Sequence, residues 1–267
     1  MNPSIEDALE ALRVLYLDGG ALALLFDYDG TLTPIVARPE LAVLAPATRR
    51  LLARLAALPR VYVGVISGRN LDELKAIVDL PGLYYAGAAG MELDLAGRTV
   101  AHPRAPEIEA DAAALMHALA PIEAEFPGAW IEDKRFACTV HYRDMADVLI
   151  DPLRDRVEEL VRQSDADLRI VEGPRAWEIS PRAGWHKGTA VTLILDRCDA
   201  RSAMVLYAGD GGNDADAYEA AAALAGITIG VGPDAPPTAR FRLPDPPALA
   251  GFLAQLENSL NAACLMT

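Results

Sequence analysis

Residues 24–32 read Leu-Leu-Phe-Asp-Tyr-Asp-Gly-Thr-Leu, an apolar run followed by two acids, a glycine and a threonine. A short apolar run that ends in a turn signal predicts a buried strand, here at residues 22–26. Two carboxylates, Asp27 and Asp29, follow it directly, and buried charges need a partner. A hard cation with oxygen ligands, such as Mg²⁺, would provide one. Because open α/β sheets bind ligands outside the carboxyl ends of their strands, this strand tip is the predicted reaction centre.

The composition of the chain narrows the class of protein. Its 267 residues suffice for one large domain or two smaller ones, and 52% of them are hydrophobic. The net charge of −14 argues against a nucleic-acid partner, since phosphate backbones are bound by lysine and arginine. It leaves room for a small phosphorylated substrate, because a bound cation and a few basic side chains reverse the sign locally.

Location and redox state are also predicted from composition. No run of about 18 or more uncharged apolar residues occurs, so we expect no membrane span and no membrane partner. Residues 1–18 lack the basic start and apolar core of a secretion signal, which predicts a cytoplasmic protein. The three cysteines, Cys138, Cys198 and Cys264, lie far apart and are interpreted as buried or inert thiols.

Strand and helix patterns alternate on both sides of a central segment. The predicted elements are a helix at 5–17, a strand at 22–26, a helix at 46–58, a strand at 61–66, a helix at 71–78 and a strand at 84–86, followed beyond the segment by a helix at 187–195, a strand at 203–208, a helix at 215–224, a strand at 227–231 and a helix at 248–258. This alternation predicts an α/β fold, a Rossmann-like parallel sheet with helices on both faces. Residues 243–247 are predicted to be a loop.

The central segment has a different pattern. A helix at 108–126 precedes strands at 129–132 and 137–142, and a helix at 148–163 precedes strands at 168–171 and 176–179. We interpret residues 105–182 as an inserted α+β cap and residues 1–104 with 183–267 as the core. The joints at 103–106 and 180–184 are rich in proline and glycine, as hinges are.

Three further signals lie where the predicted sheet would bring them near Asp27. Ser67 and Gly68 follow the second strand and open a helix, where hydroxyl and backbone N–H groups bind phosphate; a plain N-cap role for Ser67 is the alternative. Lys187 also opens a helix, against the macrodipole, which indicates a nearby anion unless the side chain is simply solvated. Asp210 and Asp214 lie in a glycine-rich turn after another strand.

In this order, Asp-x-Asp-Gly-Thr-Leu, Ser-Gly-Arg, Lys-Gly and Gly-Asp-x-x-x-Asp resemble the four motifs of the haloacid dehalogenase superfamily of phosphotransferases. The resemblance covers residues 21–104 and 183–240 and implies a haloacid dehalogenase-like core. It implies that Asp27 attacks phosphorus to form an aspartyl-phosphate. Asp29 then protonates the leaving oxygen and later takes a proton from water.

The same resemblance implies a ligand set for metal and phosphate. Mg²⁺ would be held by the carboxylates of Asp27 and Asp210 and the backbone carbonyl of Asp29, with Asp214 beside it directly or through water. Ser67, Gly68 and Lys187 would hold the phosphate, and Thr31 would add a contact.

The insert resembles the trehalose-6-phosphate phosphatase family. Its strings are Glu-Asp-Lys at 132–134, His-Tyr-Arg at 141–143, and Trp-Glu-Ile-Ser-Pro at 177–181 leading to Lys-Gly at 187–188. The resemblance implies that Glu132, Lys134 and Glu178 bind sugar hydroxyls of a phosphorylated disaccharide. A surface pair between Glu132 and Lys134 is the alternative, since residues two apart on a strand share a face. His141 is interpreted as a structural residue.

The sequence departs from the family at residues 209–215, where Gly211, Asn213 and Ala215 replace the usual acid, threonine and glutamate. The substrate therefore stays open between trehalose 6-phosphate and another glycosyl phosphate, namely sucrose-phosphate, mannosylglycerate-phosphate or glucosylglycerol-phosphate. A sugar phosphomutase and a non-catalytic sugar-phosphate binder are further alternatives. We expect a monomer, and the short N-terminal segment leaves no room for a fused synthase domain.

Overall fold

A computed structural model describes residues 4–36, 38–173, 175–182, 185–197 and 202–264. The chain divides into two compact units. The first unit consists of Met1–Val100 and His186–Thr267, and the second is Ala101–Trp185. The predicted hinge residues Ala183 and Gly184 and the predicted inert thiol of Cys198 lie outside the described residues, as does the side chain of Cys264. Cys138 is buried, and this burial raises the pKa of its thiol to about 12.

The strands are β1 (Leu22–Phe26), β2 (Val61–Ile66), β3 (Tyr84–Gly87), β4 (Glu92–Leu95), β5 (Thr99–Ala101), β6 (Trp130–Asp133), β7 (Cys138–His141), β8 (Leu168–Gly173), β9 (Ala176–Pro181), β10 (Met204–Gly209), β11 (Ile227–Val231) and β12 (Phe241–Leu243). The helices are α1 (Ile5–Leu17), α2 (Pro46–Ala56), α3 (Leu71–Val78), α4 (Ala105–Leu119), α5 (Ile122–Glu125), α6 (Ile150–Gln163), α7 (Lys187–Arg197), α8 (Ala215–Ala223) and α9 (Pro246–Cys264). No helix of the described residues is long and apolar enough to cross a membrane.

The first unit is built on one sheet with the strand order β12-β11-β10-β1-β2-β3-β4-β5. The strands from β12 to β3 pair in parallel, and β4 pairs antiparallel with β3. Leu24 and Phe26 of β1 pack in one core cluster with Leu52 of α2 and Leu253 of α9. On the opposite face, the ring of Tyr207 meets Tyr218 of α8. The predicted parallel sheet with helices on both faces is therefore confirmed.

Strand β1 lies between β10 and β2, and all five of its residues are buried. Phe26 is in register with Ala208 on one side and with Val65 on the other. The carboxyl ends of these three strands therefore lie side by side at one edge of the sheet. Asp27, Ser67 and Asp210 follow there within two residues of these positions, which is the switch point where open α/β sheets bind ligands.

The structure corrects several predicted boundaries. The helix expected at 108–126 is two helices, α4 and α5, because the chain breaks around Pro121, which precedes α5. The loop expected at 243–247 is confined to residues 244–245, since β12 ends at Leu243 and α9 already begins at Pro246. Proline is favoured in the first turn of a helix, so it marks a start there and not a loop. Strands β4, β5 and β12 are short and were not predicted.

The second unit contains an antiparallel sheet with the strand order β6-β7-β9-β8. Val140 and Trp177 on one face of the sheet pack with Leu115 of α4 and Leu153 of α6 in a separate core cluster. Because side chains alternate along a strand, the other face carries Trp130, Glu132, Thr139, His141 and Glu178. The sheet of this unit therefore has one apolar face, which packs against helices, and a polar face on the opposite side.

Candidate active site

The turn after β1 depends on Gly30. The Asp27 amide donates to Ala208 O at 2.9 Å, and the Gly30 amide donates to Thr33 O at 2.8 Å. Gly30 has φ +85°, and a Cβ built on it would lie 2.0 Å from Asp210 Oδ2. Only glycine fits both the left-handed backbone and this close approach. The Asp-Gly of the sequence therefore brings the Asp210 carboxylate against the Asp27 turn.

Lys187 joins two of the predicted acids. Its Nζ lies 2.7 Å from Asp27 Oδ1 and 2.6 Å from Asp214 Oδ1, and all three side chains are buried. Burial alone disfavours the ammonium, but the negative charges of Asp214 and Asp27 outweigh it and raise the pKa of Lys187. These two anions explain why a lysine stands at the start of α7, where the helix dipole opposes it. The alternative of a solvated lysine is wrong.

Asp214 is the most completely hydrogen-bonded of these acids. Its Oδ1 accepts from Lys187 and from Tyr207 Oη at 2.7 Å, and its Oδ2 accepts from the amides of Asp210 and Gly211 at 3.0 and 3.2 Å. The buried Asp214 carboxylate, which is 0% exposed, therefore accepts hydrogen bonds from four donors. Asp214 organises Lys187 and the Asp210 loop, which leaves less of its capacity for a metal.

The acids outnumber the bases at this edge of the sheet. Asp27, Asp210 and Asp214 each offer an oxygen, and these oxygens lie within 4.8 Å of one another. Burial raises the pKa of Asp27 well above its ordinary range despite Lys187, and burial with the charge of Asp214 raises the pKa of Asp210 to about 7. A divalent cation would remove this excess of negative charge. The donor set fits one, with Asp27 and Asp210 as the ligands that have capacity to spare.

Arg69 belongs to the Ser-Gly-Arg motif, but the sequence analysis assigned it no role. Its Nε and Nη2 donate to Asp29 Oδ2 and Oδ1 at 2.7 and 2.8 Å, and its Nη2 also reaches Pro39 O at 2.6 Å. Its Nη1 pairs with Glu73, and the guanidinium lies 5.5 Å from the centre of the Tyr28 ring. The Arg-x-x-x-Glu spacing at the start of a helix was the available signal. Both oxygens of Asp29 are thus bound by one buried guanidinium.

The predicted phosphate-binding residues lie on the next strand tip. Ser67 is 1% exposed, and its Oγ accepts from the Arg69 amide at 3.2 Å. Asn70 caps α3 instead, since its side chain accepts from the Glu73 amide at 2.8 Å, so the N-cap alternative for Ser67 is wrong. Gly68 is partly exposed beside it. Thr31 Oγ1 is buried with no hydrogen-bond partner among the described residues.

The predicted sugar-binding residues lie together on the polar face of the second unit. Glu132 and Glu178 are the cross-strand neighbours of Thr139 on its two sides. Glu132 Oε2 lies 2.8 Å from His141 Nε2, and Lys134 Nζ lies 3.0 Å from Glu178 Oε2. The three predicted residues are therefore on one surface, each carboxylate paired with a different basic group.

Comparison with known proteins shows where this chain belongs. The sequence model of the family described as Trehalose-phosphatase matches residues 25–246, which include all the motifs above and the whole second unit. The chain belongs to the trehalose-phosphatase family. Members of this family are phosphoric monoester hydrolases with the haloacid dehalogenase fold, so the resemblance noted in the sequence is confirmed.

Relatives of this trehalose-phosphatase family chain cover nearly its full length. It is 35% identical over 277 residues to the trehalose-phosphate phosphatase of Mycobacterium tuberculosis, covering 96% of this chain and 67% of the relative. It is 34% identical to the Mycobacterium marinum protein of the same name, with the same coverage. The C-terminal domain of the Candida albicans trehalose-6-phosphate phosphatase has the same fold, with a TM-score of 0.81 over 97% of this chain and 99% of that domain at 22% identity.

Proposed function

We propose that this protein hydrolyses trehalose 6-phosphate to trehalose and phosphate through an aspartyl-phosphate on Asp27. The observation that carries the proposal is the buried Lys187 bridge between Asp27 and Asp214 at the tip of β1, in a chain of the trehalose-phosphatase family. A carboxylate nucleophile must be held rigidly in line with phosphorus to react efficiently. Lys187 does this for Asp27.

One carboxylate oxygen of Asp27 is held by a hydrogen bond, and the other is available to react with phosphorus. Lys187 binds Oδ1, so Oδ2 attacks phosphorus, the P–O bond to the sugar breaks, and the leaving oxygen takes a proton from Asp29. Water then attacks the aspartyl-phosphate, giving its proton to Asp29, and phosphate leaves. General acid–base help of this kind is typically worth about 10²- to 10⁴-fold in rate.

The remaining core residues hold the phosphoryl group. The ammonium of Lys187, the hydroxyl of Ser67 and the backbone N–H of Gly68 are donors for its oxygens, and donors aimed at developing charge stabilise the transition state. Asp27, Asp210 and the backbone carbonyl of Asp29 would hold Mg²⁺. When bound, the ion offsets the repulsion between the carboxylates and the phosphate. Asp214 supports this set by orienting Lys187 and the Asp210 loop.

The sugar is assigned to the polar face of the cap, the unit whose predicted limits are 105–182. We propose that Glu132, Lys134 and Glu178 accept and donate hydrogen bonds to the hydroxyls of the disaccharide. A site whose buried polar groups are satisfied only by the right hydroxyl pattern discriminates strongly against other sugars.

The proposal is tested by following phosphate release in four proteins. Asp27→Asn should lose turnover of trehalose 6-phosphate in Mg²⁺ while retaining binding of trehalose, since the nucleophile is lost and the proposed sugar-binding residues are unchanged. Asp72→Asn, an exposed position on α3, is the matched control and should stay active. Glu132→Ala and Glu178→Ala should impair trehalose 6-phosphate far more than p-nitrophenyl phosphate. Full activity of Asp27→Asn would contradict the mechanism, and equal losses on the two esters would contradict the sugar role.

A second candidate is the hydrolysis of another glycosyl phosphate. The loop at 209–214, with Gly211 and Asn213 in place of acid and threonine, favours it. Sucrose-phosphate, mannosylglycerate-phosphate and glucosylglycerol-phosphate should be screened beside trehalose 6-phosphate, with and without Mg²⁺. Release of inorganic phosphate also separates either hydrolase from a mutase, which would return an isomerised sugar phosphate.

The cellular setting is proposed from composition. We propose a cytoplasmic protein, supported by the few, scattered cysteines. A monomer is the simplest active form, since the four core motifs come from one chain. Light scattering of the purified protein tests the monomer directly.

A further inference from the structure

His141 makes two well-defined contacts on the polar face of the second unit. Its imidazole stacks on the indole of Trp130, with ring centres 3.9 Å apart and planes 8° from parallel. Its Nε2 lies 2.8 Å from Glu132 Oε2. The antiparallel register explains both, because Trp130 is directly opposite His141 and Glu132 is two residues further along β6 on the same face.

The direction of the hydrogen bond follows from the partner. An ionised carboxylate can only accept, so Nε2 of His141 carries the hydrogen and donates it to Glu132. Stacking on Trp130 restricts rotation of the imidazole, and both side chains of the pair are 22% exposed. A half-buried, stacked donor therefore holds Glu132 Oε2 in one place.

Each carboxylate on this face has a basic partner. In the structure Lys134 Nζ binds Glu178 Oε2 at 3.0 Å, while Glu132 is held by His141. The face thus presents two separate carboxylates, one on each side of Thr139, whose buried Oγ1 has no hydrogen-bond partner among the described residues.

We propose that His141 is a positioning residue for sugar binding, holding the Glu132 carboxylate in the orientation that accepts from a sugar hydroxyl. This inference rests on the proposed role of Glu132 in the sugar site. A glutamate that is already immobilised loses less conformational freedom when substrate binds. Immobilising a flexible side chain costs enough to change affinity by about two- to tenfold.

Two variants test the hydrogen-bond donor and the aromatic ring of His141 separately. His141→Phe keeps an aromatic ring against Trp130 and removes the Nε2 donor. His141→Gln keeps an amide donor at similar reach and removes the ring. We expect His141→Phe to raise KM for trehalose 6-phosphate by about two- to tenfold with kcat within about twofold, and His141→Gln to recover part of the loss. Arg156→Gln, which breaks an exposed ion pair with Glu125 in the same unit, is the control and should keep the wild-type KM.

A double-mutant cycle decides between positioning and a general structural role. If His141 acts through Glu132, His141→Phe should add no further loss in a Glu132→Ala background. Additive losses, or a fall in kcat with unchanged KM, would overturn the proposal. So would a Glu132→Ala variant with wild-type KM. Circular dichroism melting checks that each variant is folded, and His141→Leu, which also removes the Nε2 donor, carries the cycle if His141→Phe is not folded.

The outcome is distinguishable from failure of the proposed function. If the wild type does not hydrolyse trehalose 6-phosphate, the proposed function fails, and the same cycle is run on the glycosyl phosphate that it does hydrolyse. If the wild type is active and the cycle is additive, only the positioning role of His141 fails.

Discussion

Arg69 binds both carboxylate oxygens of Asp29, through Nε to Oδ2 at 2.7 Å and through Nη2 to Oδ1 at 2.8 Å. The arginine side chain is 5% exposed, whereas that of Asp29 is 40% exposed. The rigid partner is therefore the guanidinium, which Glu73 and Pro39 O bind from its other side. Asp29, the proposed acid and base, takes its orientation from Arg69.

Replacing Arg69 by lysine should impair proton transfer to the leaving group. Lysine keeps the charge but cannot form two parallel bonds, so Asp29 loses its fixed orientation. We expect kcat on trehalose 6-phosphate to fall by roughly tenfold to hundredfold. First-turnover release of 2,4-dinitrophenol from 2,4-dinitrophenyl phosphate, whose leaving group needs no proton, should fall much less. Arg13→Lys, at an exposed ion pair with Glu10, is the control, and equal losses on both esters would contradict the assignment.

Asp214 and Asp210 should respond differently to loss of charge. Asp214→Asn disturbs a carboxylate with four donors and weakens a buried ion pair, so the free energy of unfolding should fall by about 3 kcal/mol. Asp210→Asn removes a repelled charge and should not lower the stability of the metal-free protein, while Mg²⁺ affinity falls. Urea denaturation and magnesium titration measure the two effects. Tyr207→Phe, which removes one donor to Asp214, should cost about 1–2 kcal/mol. Similar stability losses in the two asparagine variants would refute this division of roles.

In the metal-free protein, the free energy of unfolding should fall as pH rises. The pKa of Asp210 is raised to about 7 in the fold, first by burial and then by Asp214, whereas an unfolded aspartate titrates at about 3.9. A group whose pKa is raised in the folded protein stabilises the fold fully at pH values below its unfolded-state pKa. This contribution is lost as pH rises through its folded-state pKa. In EDTA the urea midpoint should therefore decline between about pH 4 and pH 7. Excess Mg²⁺ should reverse the decline, and Asp210→Asn should flatten it; an unchanged slope in that variant would speak against Asp210 as its source.

Gly30→Ala should abolish the metal site. Its Cβ would lie 2.0 Å from Asp210 Oδ2, so the carboxylate must move, and we expect activity to fall by roughly a hundredfold. Gly97→Ala is the matched control, because Gly97 has φ +99° and a Cβ there meets nothing within 4 Å. Both variants incur the left-handed backbone cost of about 1–2 kcal/mol. Activity assays and melting curves separate the clash from the strain, and an equally inactive Gly97→Ala would show that strain alone is responsible.

Strands of the core were predictable where burial is complete. The predicted limits of β1 and β2 agree with the structure, because a strand buried on both faces is a continuous apolar run bounded by polar turns. The short strands β4, β5 and β12 were missed, because three or four residues give too little pattern to detect. Pairing with a neighbouring strand, which the sequence does not display, stabilises them.

The site was predictable as a set of residues but not as a set of contacts. Motif order indicated that Asp27, Lys187, Asp210 and Asp214 belong together, because parallel strands end at one edge of the sheet. Nothing local indicated that Asp214 would accept four hydrogen bonds. Its donors come from β10, from the loop that follows and from α7, and only the packed fold brings these segments together.

By itself, the sequence determined the family, the order of the sheet and helix elements, and the residue types available for phosphoryl chemistry, since these follow from local apolar patterns and short motifs. The tertiary structure alone decided which charges meet. It placed Arg69 on Asp29, Lys187 between Asp27 and Asp214, and His141 on Glu132. The physical reason is range: strand and helix patterns are set by neighbours in the chain, whereas the Lys187–Asp27 ion pair spans 160 residues and forms only once the core has packed.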